Sequence, residues 1–285
     1  MRTNPVKSLT SLVVAGLVVG LAGTGTASAA AQPAAALTAP PAGTAAPALA
    51  APPTGKAAAT ANPLYKTGRL ADSQCSPGDL PAGSTAAYRR FLQRVTNCLN
   101  KSWASQFKKA GLAFSKPRLL IVTKKVRTPC GPWLSGASGL YCSANKTMYM
   151  LITKQDLRRP FPVGITRLMA HEYGHHVQQM AGIWSYYWSV RSRAGKSAAL
   201  QLSRRAELQA ECFSSVFMSV HADTLPVGQD DWDAVVNWFR QHGGEIFPQN
   251  DHGTGASQAA WMKRGFAYGA PGACNTWTAG ARQVA

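Results

Sequence analysis

Residues 171–175 read His171-Glu172-Tyr173-Gly174-His175, and this pentapeptide constrains the fold more than any other stretch of the 285-residue chain. On a helix the two histidines stand one turn apart on one face, so both imidazoles reach the same cation. Glu172 stands beside them, within reach of water bound to it. Two imidazoles do not complete a catalytic zinc site, which takes three protein ligands and leaves one position for water. The chain must therefore bring another donor onto this helix. One solution is a histidine six residues after the second, with glycine at the third, but those positions hold Ala181 and Gln178.

A carboxylate from a second helix is the alternative, and Glu207-Leu208-Gln209-Ala210-Glu211 presents two of them on one face by their four-residue separation. Glutamates beside Arg204 and Arg205 would ordinarily be read as surface ion pairs. Scarcity argues against that here: the chain has only four glutamates, and Glu245 alone lies outside these two segments. Glu207 and Glu211 are therefore both candidates for the metal site.

The rest of the chain sets the compartment. Residues 1–29 have the pattern of a secretory signal, with Arg2 and Lys7 ahead of an apolar run from Leu9 to Gly23 and small residues at Ala27-Ser28-Ala29. The apolar run is shorter than the roughly 20 residues that span a bilayer, so no membrane span is expected in the mature chain. Residues 30–63, rich in Ala and Pro, read as a disordered, semi-extended linker, and residues 64–285 as the folded domain. With 30 Lys plus Arg against 12 Asp plus Glu, the net charge of +18 suits attraction to anionic cell-wall polymers. No nucleic-acid module accompanies it, so nucleic acid is not an expected partner. A secreted, extracellular monomer, in contact with the wall through its charge, is the expectation.

Six cysteines in an exported chain imply three disulfides out of fifteen possible connectivities. Local spacing favours Cys75 with Cys98 and Cys130 with Cys142, leaving Cys212 with Cys274. Ser84 caps an expected helix whose stripe is Tyr88, Phe91, Leu92, Val95, Leu99 and Trp103. Strands are expected over 118–126 and 146–153, with a Gly/Ser-rich loop between them and the second offering its edge to an extended substrate. Helices follow over 164–179 and 197–221, with an aromatic stretch from Ile183 to Gly195 read as a hairpin packed over the core, the alternative being that its aromatics line a cleft. A helix capped by Asp230 or Asp231 and closed by Gly243-Gly244 comes next, and a last one is capped by Thr254. Two or three strands followed by runs of helices make an α+β domain, a small mixed or antiparallel sheet on the motif helix with further helices C-terminal.

His171-Glu172-Tyr173-Gly174-His175-His176-Val177-Gln178, followed by Glu207-Leu208-Gln209-Ala210-Glu211-Cys212, resembles the bacterial putative neutral zinc metallopeptidases, with their HExGHHxQ and later ELQADC. The Cys130 to Cys142 stretch and His252-Gly253 ahead of a helix with Trp261 and Gly265 are similar to that family too. The resemblance implies a zincin-like domain and one zinc ion held by His171, His175 and Glu207. Glu211, where the family has Asp, would orient a ligand imidazole. Glu172 would act as general base on zinc-activated water, and His252 would contact substrate or a developing oxyanion, unless it merely caps a helix. His176 lies on another face and is expected to be satisfied structurally. A secreted zinc peptidase acting on protein or peptide substrates is thus the expected function. The rivals are a catalytically silent, zinc-stabilised surface-binding protein and a metal-dependent amidase of cell-wall crosslinks.

Overall fold

The computed structural model describes residues 49–134, 136–225 and 228–285. The expected signal segment 1–29 and the linker as far as residue 48 lie outside them. The described chain is α+β, as expected. A short helix α1 (Gly55–Thr60) and a 3-10 turn lead into the long helix α2 (Thr85–Lys109). The strands β1 (Arg118–Val122), β2 (Gly139–Cys142) and β3 (Thr147–Leu151) follow. Six further helices and two 3-10 turns complete the order: α3 (Lys154–Arg158), α4 (Pro162–Met180), α5 (Ile183–Arg191), α6 (Lys196–Val220), α7 (Gln229–Ile246) and α8 (Gly255–Tyr268).

Ser84 begins α2 as its sequence predicts, its Oγ accepting from the Ala87 N–H at 3.1 Å. The Tyr88, Phe91, Leu92, Val95, Leu99 and Trp103 stripe is buried throughout. The three expected disulfides are present, with Cα–Cα separations of 5.3 Å for Cys75–Cys98, 5.6 Å for Cys130–Cys142 and 5.5 Å for Cys212–Cys274. Disulfides of this kind belong in an oxidising compartment. No helix among the described residues is long and apolar enough to cross a membrane.

Three local expectations are corrected. The sheet order is β1-β3-β2, with β1 parallel to β3 and β2 antiparallel to it. The strand expected to offer a free edge is therefore the central one, buried at all five residues. Its partner β2 comes from the end of what reads as a loop, where Cys142 pairs in register with Thr147 and is tied by its disulfide to Cys130. The aromatic stretch from Ile183 is helix α5 and not a hairpin: Ile183 and Tyr187, one turn apart, bury one face, and Gly182 at φ 79° makes the break from α4. Helix α7 runs through Gly243-Gly244 to Ile246, because a Cβ at Gly243 would sit 2.7 Å from Gln258 Oε1. Glycine is there for close packing rather than to end the helix.

The linker expected to run to residue 63 is likewise docked from residue 49 on. Ala50 bridges to Leu112, donating to the Gly111 carbonyl at 2.7 Å and accepting from Ala113 at 2.9 Å. Ala58 and Ala59 of α1 are buried where that helix meets α5, and the Asn62 side chain donates to the Ala181 carbonyl at 2.8 Å. Alanines too small to build a core of their own fit closely against one that already exists.

Helix α6 is the hub, packed on α4 along one side and α8 along the other. At the α6–α8 crossing a Cβ on Gly265 would fall against the Cys212 carbonyl oxygen and 2.9 Å from Ser215 Cβ. Alanine normally gains up to about 1 kcal/mol over glycine in a helix. Gly265→Ala is expected instead to cost about 1–3 kcal/mol through overpacking, read as a lowered urea midpoint.

Candidate metal centre

Helix α4 starts with Pro162 in its first turn and is buried on nearly every side from Met169 to Gln178, which holds the motif histidines away from bulk water. It crosses α6 closely. A Cβ on Gly174 would be 3.0 Å from both the Cα and the carbonyl oxygen of Ala210, so only a glycine lets the two backbones approach this far. That approach brings Glu207 and Glu211 of α6 to the face bearing His171 and His175.

The Oε2 atom of Glu207 lies 3.4 Å from His171 Nε2, 3.2 Å from His175 Nε2 and 3.3 Å from His252 Nε2. It is buried, yet no partner is aligned to form a hydrogen bond with it. The second nitrogen of each ring has a fixed partner. His171 Nδ1 lies 3.1 Å from Glu211 Oε2, and Glu211 is ion-paired with Arg167, whose Nε donates to Oε1 at 2.8 Å. His175 Nδ1 lies 3.0 Å from Gln178 Oε1, the only end of that amide available, because its Nε2 donates to the Ala206 carbonyl at 2.7 Å and to Gln209 Oε1 at 3.1 Å. His252 Nδ1 lies 2.8 Å from Asp251 Oδ1. All three partners are acceptors, so each Nδ1 carries a proton and each Nε2 is the nitrogen turned toward Glu207, a lone-pair donor to a cation whenever the ring is neutral. Imidazole lone pairs converging on an unbonded carboxylate oxygen suit a cation among them, and this N/O donor set suits zinc.

Burial and neighbouring charge set the protonation of the cluster. Burial pushes the His171 imidazolium down to about 3. Burial works the same way on His175, but the adjacent Glu207 carboxylate outweighs it and carries that group up to about 9. Glu207, despite its burial, is held well below the usual carboxylate range by His175 and His252. Burial raises the Glu172 carboxyl to about 7. Glu172 lies under β2, its Cγ 3.3 Å from where a Cβ on Gly139 would stand.

All the expected site residues therefore meet: His171, Glu172 and His175 from α4, Glu207 and Glu211 from α6, and His252 from the turn before α8. His176 points elsewhere, its Nε2 2.7 Å from the Ser115 carbonyl and its Nδ1 2.9 Å from Tyr141 Oη, as a structural histidine. Sequence reasoning missed Arg167, Gln178 and Asp251, while Trp184, whose ring centroid is 5.2 Å from that of His175, belongs to the aromatic stretch for which lining a cleft is the alternative reading. Spacing carried a signal for the three missed: Arg167 is one turn before His171, Gln178 one turn after His175, and Asp251 immediately before His252.

Two histidines on one buried helix, faced by a glutamate from a second, form a candidate metal site of imidazole and carboxylate donors. The chain belongs to the family described as putative neutral zinc metallopeptidase, which it matches over residues 65–277. It is similar to the uncharacterized protein YpfJ of Escherichia coli K12, 28% identical over 226 residues that cover 74% of this chain and 78% of that one. It is also similar to the uncharacterized protein Rv2575 of Mycobacterium tuberculosis H37Rv, 27% identical over 234 residues that cover 73% and 75%. No solved structure matches the chain.

The Arg167 guanidinium, buried between Glu211 and the Phe239 ring at 4.1 Å, is the only counter-charge in contact with Glu211 among the described residues. Arg167→Met should destabilise the metal-free protein by about 3–5 kcal/mol, because it strands a buried carboxylate. The double variant Arg167→Met/Glu211→Leu should recover much of that loss. Urea unfolding of the two variants side by side checks both.

Proposed function

We propose that the protein is a secreted zinc peptidase that hydrolyses peptide bonds in protein or peptide substrates. The observation that carries this reading is the position of Glu172, a buried carboxyl raised to about 7 next to the imidazole and carboxylate donor set. A purely structural zinc site needs no such group, whereas hydrolysis needs a base matched to neutral pH. His171, His175 and Glu207 would hold one zinc ion, with Glu211 and Gln178 fixing the two imidazoles. Zinc bound there supplies Lewis acidity, acidifying water and polarising the scissile carbonyl.

The chain's own groups do the rest. Glu172 takes the proton from the attacking water and delivers it to the departing amine, its raised carboxyl serving both transfers. β2 is an edge strand of the sheet lying over Glu172, and an extended peptide could pair with its outer edge through main-chain hydrogen bonds. Trp184, with Trp188 beside it at 6.0 Å between ring centroids, forms an aromatic wall on the His175 side. Three disulfides and the signal-like N-terminus support export, and the net charge of +18 supports contact with anionic wall polymers.

Metal analysis combined with digestion of a mixed peptide library tests the reading. Wild type should carry one zinc per chain. Glu172→Gln should keep it while turnover falls by roughly 10²- to 10⁴-fold, and Glu207→Gln should weaken zinc binding. Equal digestion by wild type and Glu172→Gln would sink the peptidase assignment.

A further inference from the structure

We propose that His252 is a fourth protein donor to the zinc, so that the resting site is closed by the chain itself. This rests on the zinc reading above and goes beyond it. Its Nε2 lies 3.3 Å from Glu207 Oε2, between the 3.2 Å and 3.4 Å of the two motif histidines. The donor atoms of His171, Glu207 and His252 all lie within 4.8 Å of one another, so His252 meets the geometric requirement for sharing a cation with the motif helix; His175, outside that group but 3.2 Å from Glu207 Oε2, would turn in to complete the four.

The surroundings of the ring match those of a ligand. Asp251 accepts from Nδ1 as Glu211 does from His171 and Gln178 from His175, and an acceptor on the far nitrogen is the usual support of a metal-bound imidazole. Phe247 stacks on the ring with centroids 3.6 Å apart and planes 8° from parallel, fixing its plane. Gly253, at φ 81°, turns the chain directly onto α6, where a Cβ would stand 3.1 Å from Leu208 Cδ1. The backbone next to His252 is thus pinned beside Glu207 itself. With Nδ1 hydrogen-bonded to Asp251, Nε2 is the nitrogen that faces Glu207 and would meet a cation there.

Four protein donors satisfy tetrahedral zinc, and a site filled in this way lacks the position that hydrolysis needs for water. Zinc in the resting protein is then held in latent form, and release of His252, by movement of residues 247–252, opens that position. The histidine acts as an internal stopper for the centre.

Chelator competition and the visible spectrum of the Co²⁺-substituted protein test this. His252→Ala should weaken zinc binding by more than the about 10- to 100-fold that loss of a partner outside the coordination sphere costs, and should change the cobalt bands. His252→Gln, which keeps the bulk and an amide able to bond Asp251, should do the same, separating ligation from folding. Unchanged affinity and cobalt bands in both variants, with only turnover reduced, would overturn the proposal and make His252 a substrate contact. Wild type that binds no zinc would overturn it together with the zinc reading, whereas zinc lost in Glu207→Gln but not in either His252 variant would overturn the proposal alone.

Discussion

The close crossing of α4 and α6 at Gly174 and Ala210 is the constraint on which the centre depends. The donors on the two helices, His175 and Glu207 at the nearest, are more than thirty residues apart in sequence, and each side chain is short. Glutamate on α6 reaches histidine on α4 only if the two backbones nearly touch. A methyl group at position 174 would push the helices apart by tenths of an ångström just where three Nε2 atoms each lie within 3.4 Å of one carboxylate oxygen. The glycine inside the pentapeptide, which carries no chemistry of its own, therefore sets the geometry of the residues that do.

Holding so many polar groups in a helical interface requires that they satisfy one another. Gln209 shows how: its Nε2 donates to Tyr65 Oη at 2.8 Å and to the Cys274 carbonyl at 3.0 Å, and its Oε1 accepts from Trp277 and from Gln178. Gln178 in turn orients His175. The chain of hydrogen bonds runs from the metal-facing ring to the segment held by the Cys212–Cys274 disulfide, so the C-terminal turns brace the site although they contribute nothing to it directly.

What was legible in the sequence was what local spacing decides. The pentapeptide needs only a helix to place its histidines, α2 declares itself by its stripe and its serine cap, and each short disulfide loop points to its partner. Glu207 emerged because glutamate is rare in this chain. What stayed hidden depends on tertiary neighbours. Strand β2 is four residues with weak intrinsic preference, made a strand by β3 and by the Cys130 tie. The aromatic residues from Ile183 pack as a helix because α4 and α1 offer a surface for one face of it. Residues 49–63 look unable to fold by composition, and they are ordered by a surface the sequence does not display.

Charge explains why an arginine accompanies the centre. Glu211 is needed beside His171 Nδ1, but a second buried carboxylate next to Glu207 would add negative charge to a site that already holds Glu172 and would raise the cost of keeping all three ionised. Arg167 cancels Glu211 at contact distance and stacks its other face on Phe239, so the pair orients His171 while leaving the local charge unchanged. Burial lowers the guanidinium to about 9, with the Glu172 carboxylate working against that shift, yet it stays charged at neutral pH. The long glutamate arm at position 211 is then accommodated by a partner that grips both of its oxygens. The negative charges left facing the three imidazoles are those of Glu207 and, when it is ionised, Glu172, and a divalent cation among them would be balanced by those two carboxylates.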